Sequence, residues 1–340
     1  MSLVPTVRPP DDLAAALTRS LAATVPAGAQ VERLIEQYRG ATPTTAPVLR
    51  DAPAAAAYAA YRMPATYAAA RSALAALAAR TPGWTPAGHL DLGGGTGAAL
   101  WAVAETWPDG PAGTVLDWSA PALALGGTLA AQAGSPAVRA ATWTRAPLGG
   151  APDLPAADLV TVSYVLGELT PADRDALTDA AAAAATGVLL VVEPGTPDGY
   201  ARVLAARDRL AAAGWSVLAP CPHSGTCPVT GTDWCHFAAR VPRTALHRRL
   251  KGGTLGYEDE KFSYAALARP GTAWGAPAPA RVVRHPQQRK GQVLMELCDR
   301  DGTLARTTVA KRHGDLYRAA RDAGWGDAWP PRDEADADRG

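Results

Sequence analysis

The sequence predicts an α/β fold with a mostly parallel, Rossmann-like sheet, and three observations support this prediction. Residues 86–215 alternate short apolar runs with alanine-rich stretches of helical spacing, the pattern of successive βα units. The run 187–193 is apolar at nearly every position, as expected of a strand that is buried on both faces. A glycine-rich loop at 93–97 joins an apolar run to a helix, as in the first βα turn of a nucleotide-binding sheet.

The strands and helices can be placed from their local signals. In the sheet, strands are expected at 89–92, 113–117, 140–143, 158–164 and 187–193, with helices at 171–185 and 199–213. Further along the chain, two more strands (292–298 and 304–311) meet at a turn, and a helix follows at 316–323.

Residues 1–85 are predicted to form an N-terminal helical region. Asp11 or Asp12 can cap a first helix, and residues 31–39 have helical spacing. Residues 54–80 form a helical stretch that Met63-Pro64 interrupts, because proline cannot continue a helix interior. Four side chains around this break either pack beneath the helix or form a wall of the ligand pocket: Tyr58, Tyr61, Arg62 and Tyr67.

The spacing of the glycine loop indicates which ligand it holds. Asp91 precedes Gly93, Gly95 and Gly97, a pattern similar to the loop of S-adenosylmethionine (SAM) methyltransferases, in which the acid faces the ammonium group of the ligand. The same residues also satisfy Gly-x-Gly-x-x-Ala, a dinucleotide-binding variant. Asp117 ends the second strand about 20 residues after the glycines, where a carboxylate can accept both ribose hydroxyls. Together the two acids favour SAM over NAD.

Further candidate residues lie where the fourth and fifth strands end. Ligands of such sheets sit beyond the carboxyl ends of the strands, which brings Ser163, Tyr164 and Glu193 to the same crevice as the loop. Ser163 is a candidate cofactor-binding residue, and Ser163 and Tyr164 are the candidate catalytic residues, unless they are ordinary strand ends. The fourth strand lacks both the cysteine of cytosine-C5 methyltransferases and the Asn/Asp-Pro-Pro-aromatic motif of many amine methyltransferases. The sequence therefore identifies no catalytic base.

The four cysteines of the chain, Cys221, Cys227, Cys235 and Cys298, all follow the predicted sheet. Because disulfides are rare in the cytosol, four cysteines in one region predict a metal site, and four thiolates can hold either zinc or an iron–sulfur cluster. The spacing has neither the Cys-x-x-Cys pairs of a zinc ribbon nor the Cys-x-x-x-Cys-x-x-Cys of radical SAM enzymes. Two histidines nearby are either substitute ligands or local hydrogen-bonding groups: His223 and His236.

Charge is distributed unevenly along the chain. Residues 1–199 carry 11 basic and 17 acidic residues, whereas residues 200–340 carry 22 basic and 15 acidic residues. The basic second half, with a basic stretch at 240–251, fits a polyanionic partner such as RNA, and the alternative is a solvated charged surface. No apolar run approaches 18 residues, and no secretory signal opens the chain. We therefore expect no membrane span and a cytoplasmic location.

Several motifs together resemble one known family. They comprise residues 193–197, the blocks around the first three cysteines, residues 257–264, Leu297-Cys298 and Trp325-Gly326-Asp327. This combination resembles the methyltransferase-like assembly factors of the mitochondrial small ribosomal subunit and their bacterial relatives. The resemblance implies a class I SAM methyltransferase fold and binding to small-subunit ribosomal RNA during assembly. It also implies a four-iron, four-sulfur cluster with four ligands: Cys221, Cys227, Cys235 and Cys298.

These observations predict four regions. They are an N-terminal helical region (1–85), a SAM-binding core (86–215), a cysteine cluster lobe with closing strands and a basic RNA-facing segment (216–330), and a disordered tail (331–340). The expected function is that of a SAM-dependent methyltransferase-like protein that acts on or binds small-subunit ribosomal RNA, as a monomer off the ribosome. Two alternatives stay open: a catalytically silent SAM- and RNA-binding assembly factor, and a dinucleotide-dependent iron–sulfur oxidoreductase.

Overall fold

The structure is a computed structural model that describes residues 4–22, 48–150, 152–243, 255–272, 274 and 276–331. An eight-stranded sheet lies at its centre. The strands of this central sheet are β1 (His89–Leu92), β2 (Gly113–Asp117), β3 (Thr142–Arg145), β4 (Ala157–Ser163), β5 (Ala185–Pro194), β6 (Ser216–Ala219), β7 (Phe237–Pro242) and β8 (Tyr257–Ala268).

The central sheet is mostly parallel. Its strand order is β3-β2-β1-β4-β5-β8-β6, and β7 also pairs with β8. Strands β1 to β5 run parallel, whereas β8 runs antiparallel to β5, β6 and β7. The strand order reverses between β1 and β4, and ligands of open α/β sheets bind at the carboxyl ends of the strands at such a point. The predicted α/β class and Rossmann-like sheet are therefore confirmed.

Helices cover both faces of the central sheet. One core packs the sheet against the helices of the N-terminal half, and a second core packs its other face against the two helices that follow β4 and β5. The helices are α1 (Asp11–Leu21), α2 (Ala52–Tyr61), α3 (Met63–Ala78), α4 (Ala98–Thr106), α5 (Ala120–Ala130), α6 (Pro136–Arg139), α7 (Pro171–Ala184), α8 (Pro197–Ala212) and α9 (Asp315–Asp322).

Two local predictions need correction. The first helix begins directly after Pro10 and has no side-chain cap; Asp12 instead accepts a hydrogen bond from Gly134 N at 2.6 Å and ties α1 to the chain after α5. The third strand begins at Thr142 rather than at 140, because α6 and its closing turn occupy the chain up to that point. The predicted break near Met63-Pro64 is confirmed, since α2 ends at Tyr61 and α3 begins at Met63.

The chain after β8 forms a second, five-stranded sheet. The predicted hairpin is present as β11 (Gln292–Asp299) and β12 (Leu304–Ala310), with Cys298 opposite Leu304. The other strands are β9 (Ala280–Val282), β10 (Gln287–Arg289) and β13 (Ala328–Trp329). Helix α9 packs on β11 and β12, as expected for the predicted helix at 316–323.

Sequence reasoning missed β6, β7 and β8. These three strands join the central sheet, so this sheet extends past residue 215, where the core was predicted to end. The predicted helix at 31–39 and the tail from residue 332 lie outside the described residues. In the part of the chain that the structure describes, no helix has the length and apolar character needed to cross a membrane.

Candidate cofactor site and cysteine chamber

The loop after β1 forms a tight backbone cradle. Gly93, Gly95 and Gly97 have φ angles of 68°, 53° and 86°, in the left-handed region that favours glycine. A Cβ atom on Gly93 would lie 2.5 Å from Val165, and one on Gly97 would lie 2.7 Å from Trp143. Side chains at these positions would therefore collide with the surrounding structure, and glycine is required both for the turn and for the close packing.

Asp117 connects this cradle to the end of β2. Its Oδ2 atom accepts a hydrogen bond from Gly95 N at 2.9 Å, and its Oδ1 atom accepts one from Ser119 N at 2.7 Å. Burial raises the pKa of Asp117 to about 6. The structure thus brings the glycines and Asp117 together at the carboxyl ends of β1 and β2, and the contact of Asp117 with a ribose stays a prediction.

Asp91 lies beneath the loop and does not line the cavity above it. Its side chain is fully buried, and its Oδ1 atom accepts a hydrogen bond from Thr161 Oγ1 at 2.7 Å. Thr161 Oγ1 lies in turn 2.9 Å from His89 Nε2. Burial raises the pKa of Asp91 to about 7. In this structure Asp91 supports the loop from below, and its contact with a ligand ammonium group stays a prediction.

A small cavity, the cofactor cavity, lies between the cradle and the end of β4. Its volume is about 30 Å³, whereas pockets for drug-sized ligands measure roughly 300–1,000 Å³. The chemistry of the cradle fits SAM, but the volume admits it only after wall side chains move. The cavity is lined by Leu49, Tyr58, Gly93, Gly95, Asp117, Trp118, Ser119, Ser163, Tyr164, Val165 and Glu168.

Glu168 is a residue of the cofactor cavity that sequence reasoning missed. It ends the short 3₁₀ turn Leu166–Glu168 after β4. Burial, and next the negative charges of Asp117 and Glu193, raise the pKa of Glu168 to about 8. Asp117 and Glu168 on one cavity wall are complementary to a cationic ligand, because a nearby positive charge favours the ionised carboxylates. An acid close behind the end of the fourth strand was the available signal.

The two candidate catalytic residues have different surroundings. Ser163 lines the cavity, and its buried Oγ atom makes no hydrogen bond to any residue that the structure describes. Tyr164 has a φ of 59°, a strained conformation for a bulky residue that costs on the order of 1–3 kcal/mol. Its hydroxyl donates to Glu260 Oε1 at 2.9 Å. Tyr164 is therefore held by a strand that arrives from nearly 100 residues further along the chain.

Glu260 on β8 also binds Arg62, which lies at the break between α2 and α3. The Arg62 guanidinium donates to both carboxylate oxygens, at 3.0 and 2.8 Å, and lies 5.8 Å from the centre of the Tyr164 ring. Of the tyrosines near the break, Tyr58 lines the cofactor cavity, whereas Tyr61 and Tyr67 do not. Arg62 thus fixes a cavity wall indirectly, through Glu260 and Tyr164.

Glu193, at the end of β5, lies behind the cofactor cavity rather than on its wall. One carboxylate oxygen accepts a hydrogen bond from Leu166 N at 3.0 Å, and the other accepts one from Arg202 Nε at 2.7 Å. Burial raises the pKa of Glu193. Glu193 therefore positions the turn that carries Glu168.

The four cysteines converge on a second cavity, which we call the cysteine chamber. Cys221, Cys227, Cys235 and Cys298 all line it, and its volume is about 40 Å³. All four are free thiols. Cys298 comes from β11 of the second sheet, whereas the other three lie in the segment between β6 and β7. All four thiols thus line one cavity, and their role as ligands stays a prediction.

Polar groups around the chamber hold its loops and contact its thiols. The Tyr200 hydroxyl lies 3.2 Å from Cys227 Sγ, and His223 Nε2 lies 3.5 Å from Cys298 Sγ. Arg207 donates to the carbonyl oxygens of His223 and Gly225 at 3.0 and 2.7 Å. His223 therefore contacts a chamber thiol, whereas His236 lies outside the lining and stacks on Trp234.

Burial and mutual repulsion disfavour thiolates in the chamber as it stands. Burial, and next the neighbouring cysteines, raise the pKa of Cys298 to about 12 and raise the pKa of Cys235 further. Burial also raises the pKa of Cys221, which the positive charge of Arg207 partly offsets. Within the described ranges, no three His, Cys, Asp or Glu side chains form a group that could hold a metal ion. The thiols surround a space instead of meeting at a point.

The basic stretch predicted to face RNA is described only at its beginning. Arg240 forms a bidentate ion pair with Asp259 at 2.7 and 2.9 Å and lies 4.0 Å from the centre of the Tyr257 ring. Arg243 lies 3.3 Å from Glu258. Residues 244–254, with the other basic side chains of this stretch, lie outside the described residues. The RNA-facing role of the stretch stays a prediction.

Comparison with known proteins identifies the family. The model of the family described as mitochondrial small ribosomal subunit Rsm22 matches residues 52–330. The chain belongs to this family. The resemblance read from the sequence is thereby confirmed, and the matched residues include both the glycine cradle and the cysteine chamber.

Two curated relatives illustrate how far the similarity extends. The chain is 30% identical over 293 residues to the human protein named ribosome assembly protein METTL17, mitochondrial, an alignment that covers 80% of the chain and 62% of that protein. It is 27% identical over 187 residues to Rsm22-cox11 tandem protein 2, mitochondrial, of Schizosaccharomyces pombe, with 42% and 24% covered. The chain therefore spans less than two thirds of the length of these relatives.

Several solved structures similar to the chain are methyltransferases, and two of them illustrate the match. One is magnesium protoporphyrin IX methyltransferase from Synechocystis PCC 6803 with bound SAM, at 14% identity and a TM-score of 0.40, covering 75% of the chain and 97% of that protein. The other is a putative RNA methyltransferase from Pyrococcus horikoshii, at 14% identity and a TM-score of 0.39, covering 70% and 97%.

Proposed function

We propose that the chain is a methyltransferase-like assembly factor of the small ribosomal subunit that binds SAM and ribosomal RNA. One observation carries this proposal: a chain of the Rsm22 family has a glycine cradle whose cavity wall bears two acids, Asp117 and Glu168. The name of the human relative, a mitochondrial ribosome assembly protein, supports the role in assembly. The protein acts in the cytoplasm, as a monomer off the ribosome.

The cradle and the two acids support SAM as the cofactor. SAM carries a permanent positive charge on its sulfonium sulfur and a second on its ammonium group, and it supplies an electrophilic methyl group when bound. Asp117 and Glu168 neutralise these charges or bind the ribose, and the turn at the glycines lets the ligand approach the backbone closely. Trp118 is the largest side chain on the cavity wall.

The cysteine chamber supports a four-iron, four-sulfur cluster held by Cys221, Cys227, Cys235 and Cys298. Four thiols that line one cavity match the donor set of such a cluster. Two buried arginines, Arg207 and Arg281, line the same chamber and can offset the negative charge of the thiolates. The cluster joins the segment between β6 and β7 to β11, so its role is structural.

The second sheet supports binding to RNA. Residues 280–331 carry ten basic and six acidic residues, a net charge of +4. Several of the basic side chains are exposed, among them Arg289, Lys290, Arg306 and Arg312. Neutralising phosphates with such side chains releases counterions and supplies most of the sequence-independent affinity for nucleic acid. RNA binding should therefore weaken steeply as the salt concentration rises.

Titration calorimetry tests the cofactor. We expect SAM to bind and NAD not to bind, and we expect Asp117→Ala to weaken SAM binding by at least about tenfold, since charge-assisted hydrogen bonds contribute on the order of 1.5–3 kcal/mol. Asp153→Ala, a change at an exposed acid away from the cavity, is the matched control. Binding of NAD in place of SAM would favour the oxidoreductase alternative.

The visible absorption spectrum of the anaerobically purified protein, with iron and zinc analysis, tests the chamber. A brown protein with about four irons supports the cluster. A colourless protein with one zinc supports the zinc alternative and contradicts the cluster.

Methyl transfer is the second candidate function. It is favoured by Ser163, which lines the cofactor cavity and whose buried Oγ atom has no hydrogen-bond partner among the described residues. Such a group can orient an acceptor in line with the sulfonium methyl, and orientation supplies much of the rate of such reactions.

A strain that lacks the gene separates assembly from methylation. Sucrose gradients report assembly of the small subunit, and mass spectrometry maps the modifications of 16S rRNA. A defect in assembly with an unchanged modification map supports a silent assembly factor. A missing methyl group that a Ser163→Ala gene fails to restore supports catalysis.

A further inference from the structure

A third cavity lies apart from the cofactor cavity, and we call it the arginine groove. Its volume is about 530 Å³, within the roughly 300–1,000 Å³ of typical small-molecule sites. Helix α3, strands β7 and β8, the N-terminal segment 5–8 and the chain before β13 form its walls. The groove shares Phe237, Tyr264 and Arg281 with the cysteine chamber, so these three side chains separate the two spaces.

Arginines from separate parts of the chain meet in this groove. The groove is lined by four arginines: Arg8 in the N-terminal segment, Arg71 on α3, Arg80 just after that helix, and Arg281 on β9. Arg80 and Arg281 are only 6% and 5% exposed. Neither Arg71 nor Arg281 forms an ion pair with an acidic side chain among the described residues. Two acids, Glu105 and Asp327, also line the groove, so a positive charge remains at its walls.

Arg281 leaves one donor unused within this wall. Its Nε atom donates to Pro220 O at 2.7 Å, and its Nη1 atom donates to Gly326 O at 2.8 Å. These two bonds fix the orientation of the guanidinium group. Its Nη2 atom is buried and makes no hydrogen bond to the residues that the structure describes. An unsatisfied buried donor is unfavourable, so a groove ligand that displaced the atoms covering Nη2 and accepted a hydrogen bond from it would be stabilised.

An aromatic ring lies beside these charges. Trp325 lines the groove and is half-buried, and its Nε1 atom also makes no hydrogen bond within the described part of the chain. Three side chains hold the ring: His236, whose ring centre lies 4.5 Å from its own, His285, which meets it edge-on at 4.9 Å, and Arg284, whose guanidinium lies 5.6 Å from its centre. A base would therefore contact the part of the ring that lines the groove. Arginines beside an indole match the two parts of a nucleotide, because guanidinium groups bind phosphate and aromatic rings stack on bases.

We propose that the arginine groove binds one nucleotide of a single-stranded RNA segment, with its phosphate at Arg71 and Arg281 and its base against Trp325. This proposal rests on the RNA-binding role proposed above and gives that role a defined site. The site lies beside the cysteine chamber rather than at the glycine cradle. It therefore recognises RNA without bringing the bound nucleotide to the methyl group of SAM.

Fluorescence anisotropy with a labelled single-stranded RNA of about ten nucleotides tests the groove, using the full chain purified anaerobically at several salt concentrations. We expect Arg71→Ala to weaken binding several-fold and to lower the salt slope by about 1, the loss of one phosphate contact. We expect Trp325→Ala to weaken binding about tenfold through loss of base stacking. Arg209→Ala is the control, because it removes an equal charge from an exposed ion pair on α8.

The outcomes separate this site from the broader proposal. Wild-type affinity in both groove variants, with RNA still bound, would overturn the groove and leave RNA binding intact. An equal loss in Arg209→Ala would show a general effect of charge and would also overturn it. If AMP binds in the groove but RNA does not, the ligand of the groove is a free nucleotide, and the proposed RNA segment is contradicted. A loss of affinity counts as support only if the variant unfolds at the same temperature as the wild-type protein.

Discussion

The ion pair between Glu260 and Arg62 allows a sharp test of what holds the cofactor cavity in place. Glu260 accepts two hydrogen bonds from Arg62 and one from the Tyr164 hydroxyl. The side chains of Arg62 and Glu260 are 21% and 10% exposed. Glu260→Gln keeps the size of the side chain but removes its charge and turns one acceptor into a donor. The guanidinium group of Arg62 then remains largely buried without a matching negative charge.

The expected loss of stability follows from this geometry. Removing one partner of a buried ion pair lowers the free energy of unfolding by about 3–5 kcal/mol. Because Arg62 is partly exposed, we expect a loss at the lower end of this range, about 3 kcal/mol. At about 2 °C per kcal/mol for a chain of this size, the unfolding temperature should fall by about 6 °C. The neighbouring residue provides a control, since Asp259 also forms a bidentate pair, with Arg240, but these side chains are 34% and 28% exposed. Asp259→Asn should cost less than about 1 kcal/mol.

Thermal and urea unfolding, followed by tryptophan fluorescence, measure both variants. Equal unfolding temperatures for Glu260→Gln and Asp259→Asn would refute the reasoning, because burial is the main difference between the two pairs. Tyr164→Phe gives an independent reading. It removes one hydrogen bond and leaves the ion pair intact, so it should cost only about 1 kcal/mol.

Three further outcomes are expected. The pKa of Glu168 is raised from 4.5 to about 8, so between these two pH values the folded state keeps a proton that the unfolded state releases. Stability therefore falls as the pH rises from about 4.5 to about 8, and Glu168→Gln should flatten this fall in unfolding curves measured at several pH values. Gly97→Ala places a Cβ atom 2.7 Å from Trp143 at a φ of 86°, so it should lower the free energy of unfolding by about 2–4 kcal/mol and abolish SAM binding. Its control is Gly231→Ala, which is also at positive φ but has open space around it and should cost only about 1–2 kcal/mol. If the proposed cluster is present, Cys227→Ser should remove its visible absorption and destabilise the chamber, and wild-type stability in that variant would contradict its structural role.

The parts of the fold that could be predicted are those with local signals. The glycine cradle, β1, β2, β4 and β5 each lie in one short stretch whose pattern is visible without the rest of the chain. Strand β8 lacks such a local signal, because its first half is rich in charged residues rather than apolar ones. Its partners β5, β6 and β7 lie elsewhere in the chain, so its pairing cannot be read from its own sequence. Its place between β5 and β6 depends on long-range pairing that periodicity does not encode.

The same distinction applies to the sites. The loop motif and its spacing identified the glycines and Asp117. The sequence signal for Glu168 was its position close behind β4, and its place beside Asp117 on one cavity wall became visible only in the structure. The pairing of Arg62 with Glu260 joins residues 198 positions apart. For the cysteines, sequence could group the first three by proximity, whereas Cys298 reaches the chamber only because β11 pairs with β9 and places it opposite Arg281.

Strand β8 is the element that unites the two predicted sites. Near its start, Glu260 holds Tyr164 at the wall of the cofactor cavity. Three residues later, Ser263 Oγ donates to Cys235 O at 2.8 Å, and Ser263 and Tyr264 line the cysteine chamber. A shift of β8 that relaxed the chamber would therefore also move Glu260, and Tyr164 keeps its strained backbone only while surrounding contacts hold it. Strand β8 therefore connects the two cavities, although they have no lining residue in common.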